Sequence, residues 1–146
     1  MHISDMTTAD LPAVTALAAQ LGYPGSLETY TQRFAAVSKE SGHKLWVARH
    51  EGKIVGWLHA HPTATAMINP PMCEIDALVV DEAARGLGIG KALLKTAEDW
   101  AVQQGFTAVR LHSNMKREHA HEFYARQGYE RRKIWGVFFK DLAKAP

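Results

Sequence analysis

The sequence predicts a mixed α/β fold, part antiparallel hairpin and part strand–helix–strand crossover. Three observations predict it. Two helix-patterned segments open the chain. Two runs rich in β-formers then meet at Glu51-Gly52. A third such run, Met72–Val80, leads into the glycine-rich stretch Arg85-Gly-Leu-Gly-Ile-Gly90, and a helix-patterned segment follows. A hairpin joins antiparallel strands, whereas a helical crossover joins strands within one layer of a sheet.

Each element has its own local reason. Thr8–Gly22 reads as a first helix, with polar starters and a terminal glycine. Tyr23-Pro-Gly is a turn, and Ser26 can cap a second helix over Leu27–Glu40. Lys44–His50 and Lys53–Pro62 read as strands around a two-residue hairpin turn. Asn69-Pro-Pro71 is expected to break the chain before the strand Met72–Val80. From Ile89, apolar residues recur at Ala92, Leu93, Ala97, Trp100 and Ala101, the stripe of an amphipathic helix that Gly105 ends. Thr107–Leu111 reads as a strand and Glu118–Gln127 as a short helix stopped by Gly128. Ile134–Lys140 reads as a final strand. With no repeat, low-complexity tract or linker, residues 1–146 are expected to form one domain.

Composition narrows the classes. Apolar residues make up 47% of the chain, enough for a sizeable core. No apolar run approaches the roughly 20 residues a membrane span needs, and the first residues lack a secretory leader pattern. Cys73 is the single cysteine, which excludes an internal disulfide and fits the reducing cytoplasm. The net charge of +2 is too small to argue for nucleic acid. Its distribution is uneven. Residues 1–107 carry 8 basic and 11 acidic side chains, a net of −3, and residues 108–146 carry 9 and 4, a net of +5. Arg131-Arg132-Lys133 is the densest basic run, either a solvated surface or a place for a polyanion.

A glycine-rich turn between a strand and a helix N-terminus is a place to hold phosphate. Glycines permit positive φ and close approach, and first-turn amides have no intrahelical acceptor. Two nucleotide loops are excluded. A P-loop ending at Gly90-Lys91 needs glycine at position 85, which is Arg85, and a hydroxyl after the lysine, where Ala92 stands. The dinucleotide fingerprint places Lys91 or Leu93 where a small residue is required, and no acidic residue ends the next strand.

The remaining pattern is R-x-x-G-x-G, at Arg85, Gly88 and Gly90. With its flanking strand and helix it resembles the acyl-CoA loop of the GNAT superfamily of N-acetyltransferases. Arg110-Leu-His-Ser-Asn114, followed by Ala120-His-Glu-Phe-Tyr-Ala-Arg-Gln-Gly-Tyr129, resembles that family's second half. The resemblance spans nearly the whole chain. It implies a central, mostly antiparallel sheet of six or seven strands, splayed at the cofactor site and flanked by about four helices. It implies acetyl-CoA as cosubstrate, with the pyrophosphate on the loop from Arg85 through Gly86, Leu87, Gly88, Ile89 and Gly90 to Lys91. The pantetheine arm would pair with the strand at Leu78 and Val80 and meet Asn114, and a backbone amide near Val79 would stabilise the oxyanion. It further implies Tyr124 as the acid that protonates the departing thiolate, and a homodimer as the expected assembly.

Glu74 and Asp76 sit two apart on the cofactor strand and so face one side. Either can remove the proton from an acceptor ammonium, with Glu74 placed first, or serve as its counter-ion. His59 and His61 alternate on one strand; the resemblance implies a wall of the acceptor pocket, and the alternative is plain surface or satisfied core histidines. With no third ligand at matching spacing, no metal site is expected. Tyr23, in the turn between the first two helices, is a candidate substrate contact. Cys73 reads as a buried structural thiol instead of an acyl carrier. The expected reaction is acetyl transfer to a primary amine, of a small molecule, by direct attack in a ternary complex. The alternatives are a protein or peptide amine as acceptor, and a non-catalytic acyl-CoA-binding regulatory module.

Overall fold

A computed structural model describes residues 1–143, which fall into two compact units, Met1–His112 and Ser113 onward. The first unit holds a five-stranded sheet in the order β1-β2-β3-β4-β5. The strands are β1 (His2–Asp5), β2 (Lys44–His50), β3 (Lys53–Thr65), β4 (Ile68–Val80) and β5 (Val109–Leu111). Neighbours pair antiparallel from β1 to β4, and β4 pairs parallel with β5. The helices of this unit are α1 (Leu11–Gln20), α2 (Leu27–Ser38) and α3 (Ile89–Gln103).

Local chemistry sets most boundaries. Thr7 and Asp10 form a reciprocal capping box at a 3-10 turn over Thr8–Asp10, which runs into α1. Asp10 is buried and held by the Arg49 guanidinium. The Ser26 hydroxyl accepts the Thr29 amide 3.1 Å away and starts α2. Glu51 and Gly52 both take positive φ, 50° and 78°, the backbone that a two-residue hairpin turn requires.

One sheet face carries Val47, Trp57 and Val79 against Leu11, Val14, Leu17 and Ala18 of α1 and Tyr30 of α2. On the opposite face α3 buries Ile89, Leu93, Leu94 and Ala97. Gly56 allows that approach. A Cβ there would lie 2.9 Å from the Val79 carbonyl oxygen and 3.1 Å from Leu93.

Three expectations are corrected. The strand count is five among the described residues, not six or seven. Ile134–Lys140 forms no strand, and Val137, Phe138 and Phe139 are exposed; β-formers make a strand only where a ladder partner is present. Conversely, His2–Asp5 adds an edge strand with no strong pattern of its own. Asn69-Pro-Pro71 does not break the chain but lies within β4. Pairing with β5 begins only at Cys73, which spares Pro71, and Pro70 falls in the register shift opposite Thr63–Thr65 of β3, so neither proline interrupts a ladder hydrogen bond.

The second unit contains α4 (Glu118–Arg126). Before it, the Asn114 side chain accepts the Lys116 amide at 2.9 Å and its carbonyl accepts the Arg117 amide at 3.0 Å. Gly128, at φ 89°, closes the helix.

Candidate active site

β4 shapes the site through one irregularity. The register runs His59↔Ala77 and then Ala60↔Ile75, which leaves Asp76 as a bulged residue without an opposite number. The bulge reverses which amides point to which edge. Before it, the Cys73 amide points to β5 and donates to the Ala108 carbonyl at 3.0 Å. After it, the Asp81 amide donates to Val55 on β3 at 2.8 Å, so the Val79 amide also faces β3 and those of Leu78 and Val80 face the other edge. That edge has no ladder partner in β5 beyond Ile75↔Leu111. Leu78 and Val80 thus present hydrogen-bonding groups at a splay. The Val79 amide, expected to stabilise the oxyanion, faces β3 instead.

The free edge leads into the glycine loop. Gly86 and Gly88 take φ 85° and 77°, and Gly88 is the left-handed N-cap of α3. A glycine cap offers no side-chain acceptor, so the first-turn amides of Ile89, Gly90 and Lys91 have no side-chain cap. Ile89 is buried and anchors the turn, while Arg85, Leu87 and Lys91 are exposed along it. Arg85 lies 3.9 Å from Glu82, a loose exposed pair.

The two strand carboxylates have different surroundings. Glu74 is 5% exposed, with Arg110 Nε 2.6 Å from one oxygen and His112 Nδ1 2.9 Å from the other. Asp76 is half-exposed and reaches His61 Nε2 at 2.7 Å and His59 Nδ1 at 3.7 Å. His43 adds to this group, its Nδ1 2.9 Å from His59 Nε2. Burial lowers the His59 pKa to about 4, against the raising effect of Asp76 and with a further lowering from His43 and His61. Cys73 is fully buried; that burial first, then Glu74 and Asp76, raise its thiol to about 11.

His43, Arg110 and His112 were missed as site residues. The alternation of β2 extends back to His43, a usable signal. Nothing local ties Arg110 to a carboxylate 36 positions earlier. Tyr23 has an exposed side chain, and its carbonyl accepts the Tyr30 hydroxyl at 2.6 Å. Among the described residues no group of three or more His, Cys, Asp or Glu is arranged to hold a metal ion.

In the second unit, Tyr124 packs edge-on against Phe123 at 5.3 Å and Tyr129 at 6.0 Å. Burial raises its phenol pKa, and Arg117 counteracts that in part. The Asn114 amide group is engaged in its own turn through its oxygen.

The acetyltransferase (GNAT) family model matches residues 11–129, and the chain belongs to that family of acetyl-CoA-dependent N-acetyltransferases. It is 34% identical over 125 residues to the aminoalkylphosphonate N-acetyltransferase of Salmonella typhimurium, covering 85% of this chain and 81% of that one. It is 33% identical over 92 residues to N-acetyltransferase 8B of Homo sapiens, covering 63% of this chain but about 40% of that longer protein. The fold superposes on the aminoglycoside 6′-N-acetyltransferase AAC(6′)-IG of Acinetobacter haemolyticus with a TM-score of 0.84, at 19% identity, covering 97% and 99% of the two chains.

Proposed function

We propose that this protein transfers the acetyl group of acetyl-CoA to the primary amine of a small molecule, by direct attack in a ternary complex. The observation that carries the reading is the free β4 edge at Leu78 and Val80 running into the loop Gly86–Lys91. The loop amides receive the pyrophosphate, and the outward amides of Leu78 and Val80 pair with the pantetheine arm and polarise the thioester carbonyl. Lys91 and Arg85 add positive charge beside the phosphates. Tyr124 protonates the departing thiolate; its raised pKa keeps the proton on the phenol until the thiolate forms. Asn114 and Tyr23 are read as contacts for pantetheine and acceptor.

The acceptor enters on the face that carries Asp76, His59 and His61. Glu74 is already neutralised by Arg110 and His112, so it orders this wall, and Asp76 attracts the acceptor ammonium. A small acceptor is supported by two similar proteins, named for aminoalkylphosphonate and aminoglycoside acetylation. The family match crosses both compact units, which supports one acetyltransferase domain over the chain.

Thermal unfolding with acetyl-CoA tests the binding half, since a ligand that binds only the native state raises Tm; no shift at saturation would sink the reading. Thiol release across a panel of aminoalkylphosphonates, aminoglycosides and polyamines tests the chemistry. Tyr124→Phe is expected to slow turnover about 10²-fold with little change in acetyl-CoA affinity. Equal losses in both would make Tyr124 a packing residue.

A further inference from the structure

Three histidines and an aspartate converge on the sheet face that carries α1 and α2. His43 precedes β2, His59 and His61 alternate on β3, and Asp76 is the bulged residue of β4. The His43 ring stacks on His61 with centroids 4.8 Å apart and planes at 10°. Hydrogen-bond roles locate the protons. His61 Nδ1 lies 2.7 Å from the Pro62 carbonyl oxygen, which only accepts, so Nδ1 carries a hydrogen. His61 Nε2 lies 2.7 Å from a carboxylate oxygen of Asp76. A proton taken up at Nε2 would lie between the ring and the carboxylate, in place of lone pair against lone pair.

The other rings have no room for it. His43 and His59 meet nitrogen to nitrogen and are satisfied by one hydrogen between two neutral rings. Burial already keeps His59 neutral. A charge on His43 would stack directly on one at His61. The neighbouring charges are engaged elsewhere: Glu74 with Arg110 and His112, and Lys44 with Asp5. α1 has no ionisable side chain, and α2 carries Glu28, Tyr30 and Arg33, with Arg33 set over the Tyr30 ring.

We propose that His61 is the base that takes the proton of the acceptor ammonium, with Asp76 stabilising the imidazolium and the Pro62 carbonyl fixing the ring's tautomer. The inference rests on the proposed acetyl transfer and supplies its proton step. With the pair unloaded, an ammonium N–H donates to His61 Nε2 beside the Asp76 carboxylate. That N–H bond breaks as the bond to Nε2 forms, and the freed lone pair attacks the thioester carbonyl. His61, at 21% exposure, then returns its proton to water. The His43–His59 pair is a positioning element that keeps a second positive charge out of the cluster. The loaded pair cannot accept another proton, so activity rises with pH as it unloads.

The test follows histidine ring nitrogens by NMR across pH in the free protein, beside the pH dependence of thiol release from acetyl-CoA with 2-aminoethylphosphonate and kanamycin. Proton uptake is expected at His61 while His43 and His59 stay neutral, with an ascending limb of kcat/KM that tracks it. His61→Gln is expected to abolish that limb and slow transfer about 10²-fold or more, with acetyl-CoA binding retained. Asp76→Asn is expected to move both the His61 titration and the limb to lower pH, because the stabilising charge is gone. Uptake at His43 or His59, an unmoved titration in Asp76→Asn, or a His61→Gln variant that keeps the limb would overturn the proposal. Silence with every amine counts against the proposed function, whereas transfer with proton uptake away from His61 counts against this inference alone.

Discussion

Glu74 and Asp76 are two positions apart and chemically unlike. Glu74 is buried between a guanidinium and an imidazole, and Asp76 stands half-exposed among histidines. Replacing Glu74 with Gln leaves Arg110 facing a neutral amide, which should cost about 2 kcal/mol of stability in urea denaturation. A similar argument separates Cys73 from reactive cysteines. Its thiol is fully buried and raised to about 11, so little thiolate exists at neutral pH. Native protein is expected to resist a thiol-specific reagent at pH 7.5 and to react with one equivalent on unfolding. Rapid labelling of the folded protein would show that the thiol is reachable.

At the scale of elements, β4 is three strands in one. Its start lacks a partner on the β5 side and slips register against β3, and so tolerates Pro70 and Pro71. Its middle is laddered on both edges, and its end is laddered on one. The Asp76 bulge separates the last two and turns the amides of Leu78 and Val80 outward. Gly56 on β3 belongs to the same device, since it lets α3 approach the strand that feeds the loop. Gly56→Ala would drive a Cβ to 2.9 Å from the Val79 carbonyl oxygen and against Ile89 and Leu93. A loss of about 1–3 kcal/mol is expected from such overpacking, together with weaker acetyl-CoA binding because α3 carries the loop amides. Unchanged stability would mean that the helix yields freely.

At the scale of the molecule, the half-buried His59 links folding to pH. The His59 pKa is lowered to about 4 from its ordinary 6.5. Between these values the unfolded chain binds a proton that the native state refuses, so stability rises with pH across this window. The contribution is complete above about 6.5 and is lost as the pH falls toward 4. Chemical denaturation at pH 7 and pH 5 should show the drop, and His59→Gln should flatten it; an equal drop in both proteins would place the effect elsewhere. No helix among the described residues is long and apolar enough to cross a membrane.

Much of this was legible in residue order. Helix stripes, the Glu51-Gly52 turn and the strand–glycine–helix passage through Gly88 are local patterns, and each formed where its pattern lay. Where the pattern depended on a distant partner, the reading failed. Ile134–Lys140 has β-forming residues and no ladder among the described residues, while the prolines of β4 were admitted by a missing neighbour and a register shift. By itself the sequence determined the glycine loop, the elements around it and the presence of two carboxylates and two histidines on adjoining strands. Only the tertiary structure decided that Glu74 is neutralised by Arg110, that Asp76 bulges toward His61, and that His43 closes the cluster. The reason is physical: backbone conformation follows from near neighbours, whereas a side chain's charge state follows from whatever the fold brings within a few ångströms of it.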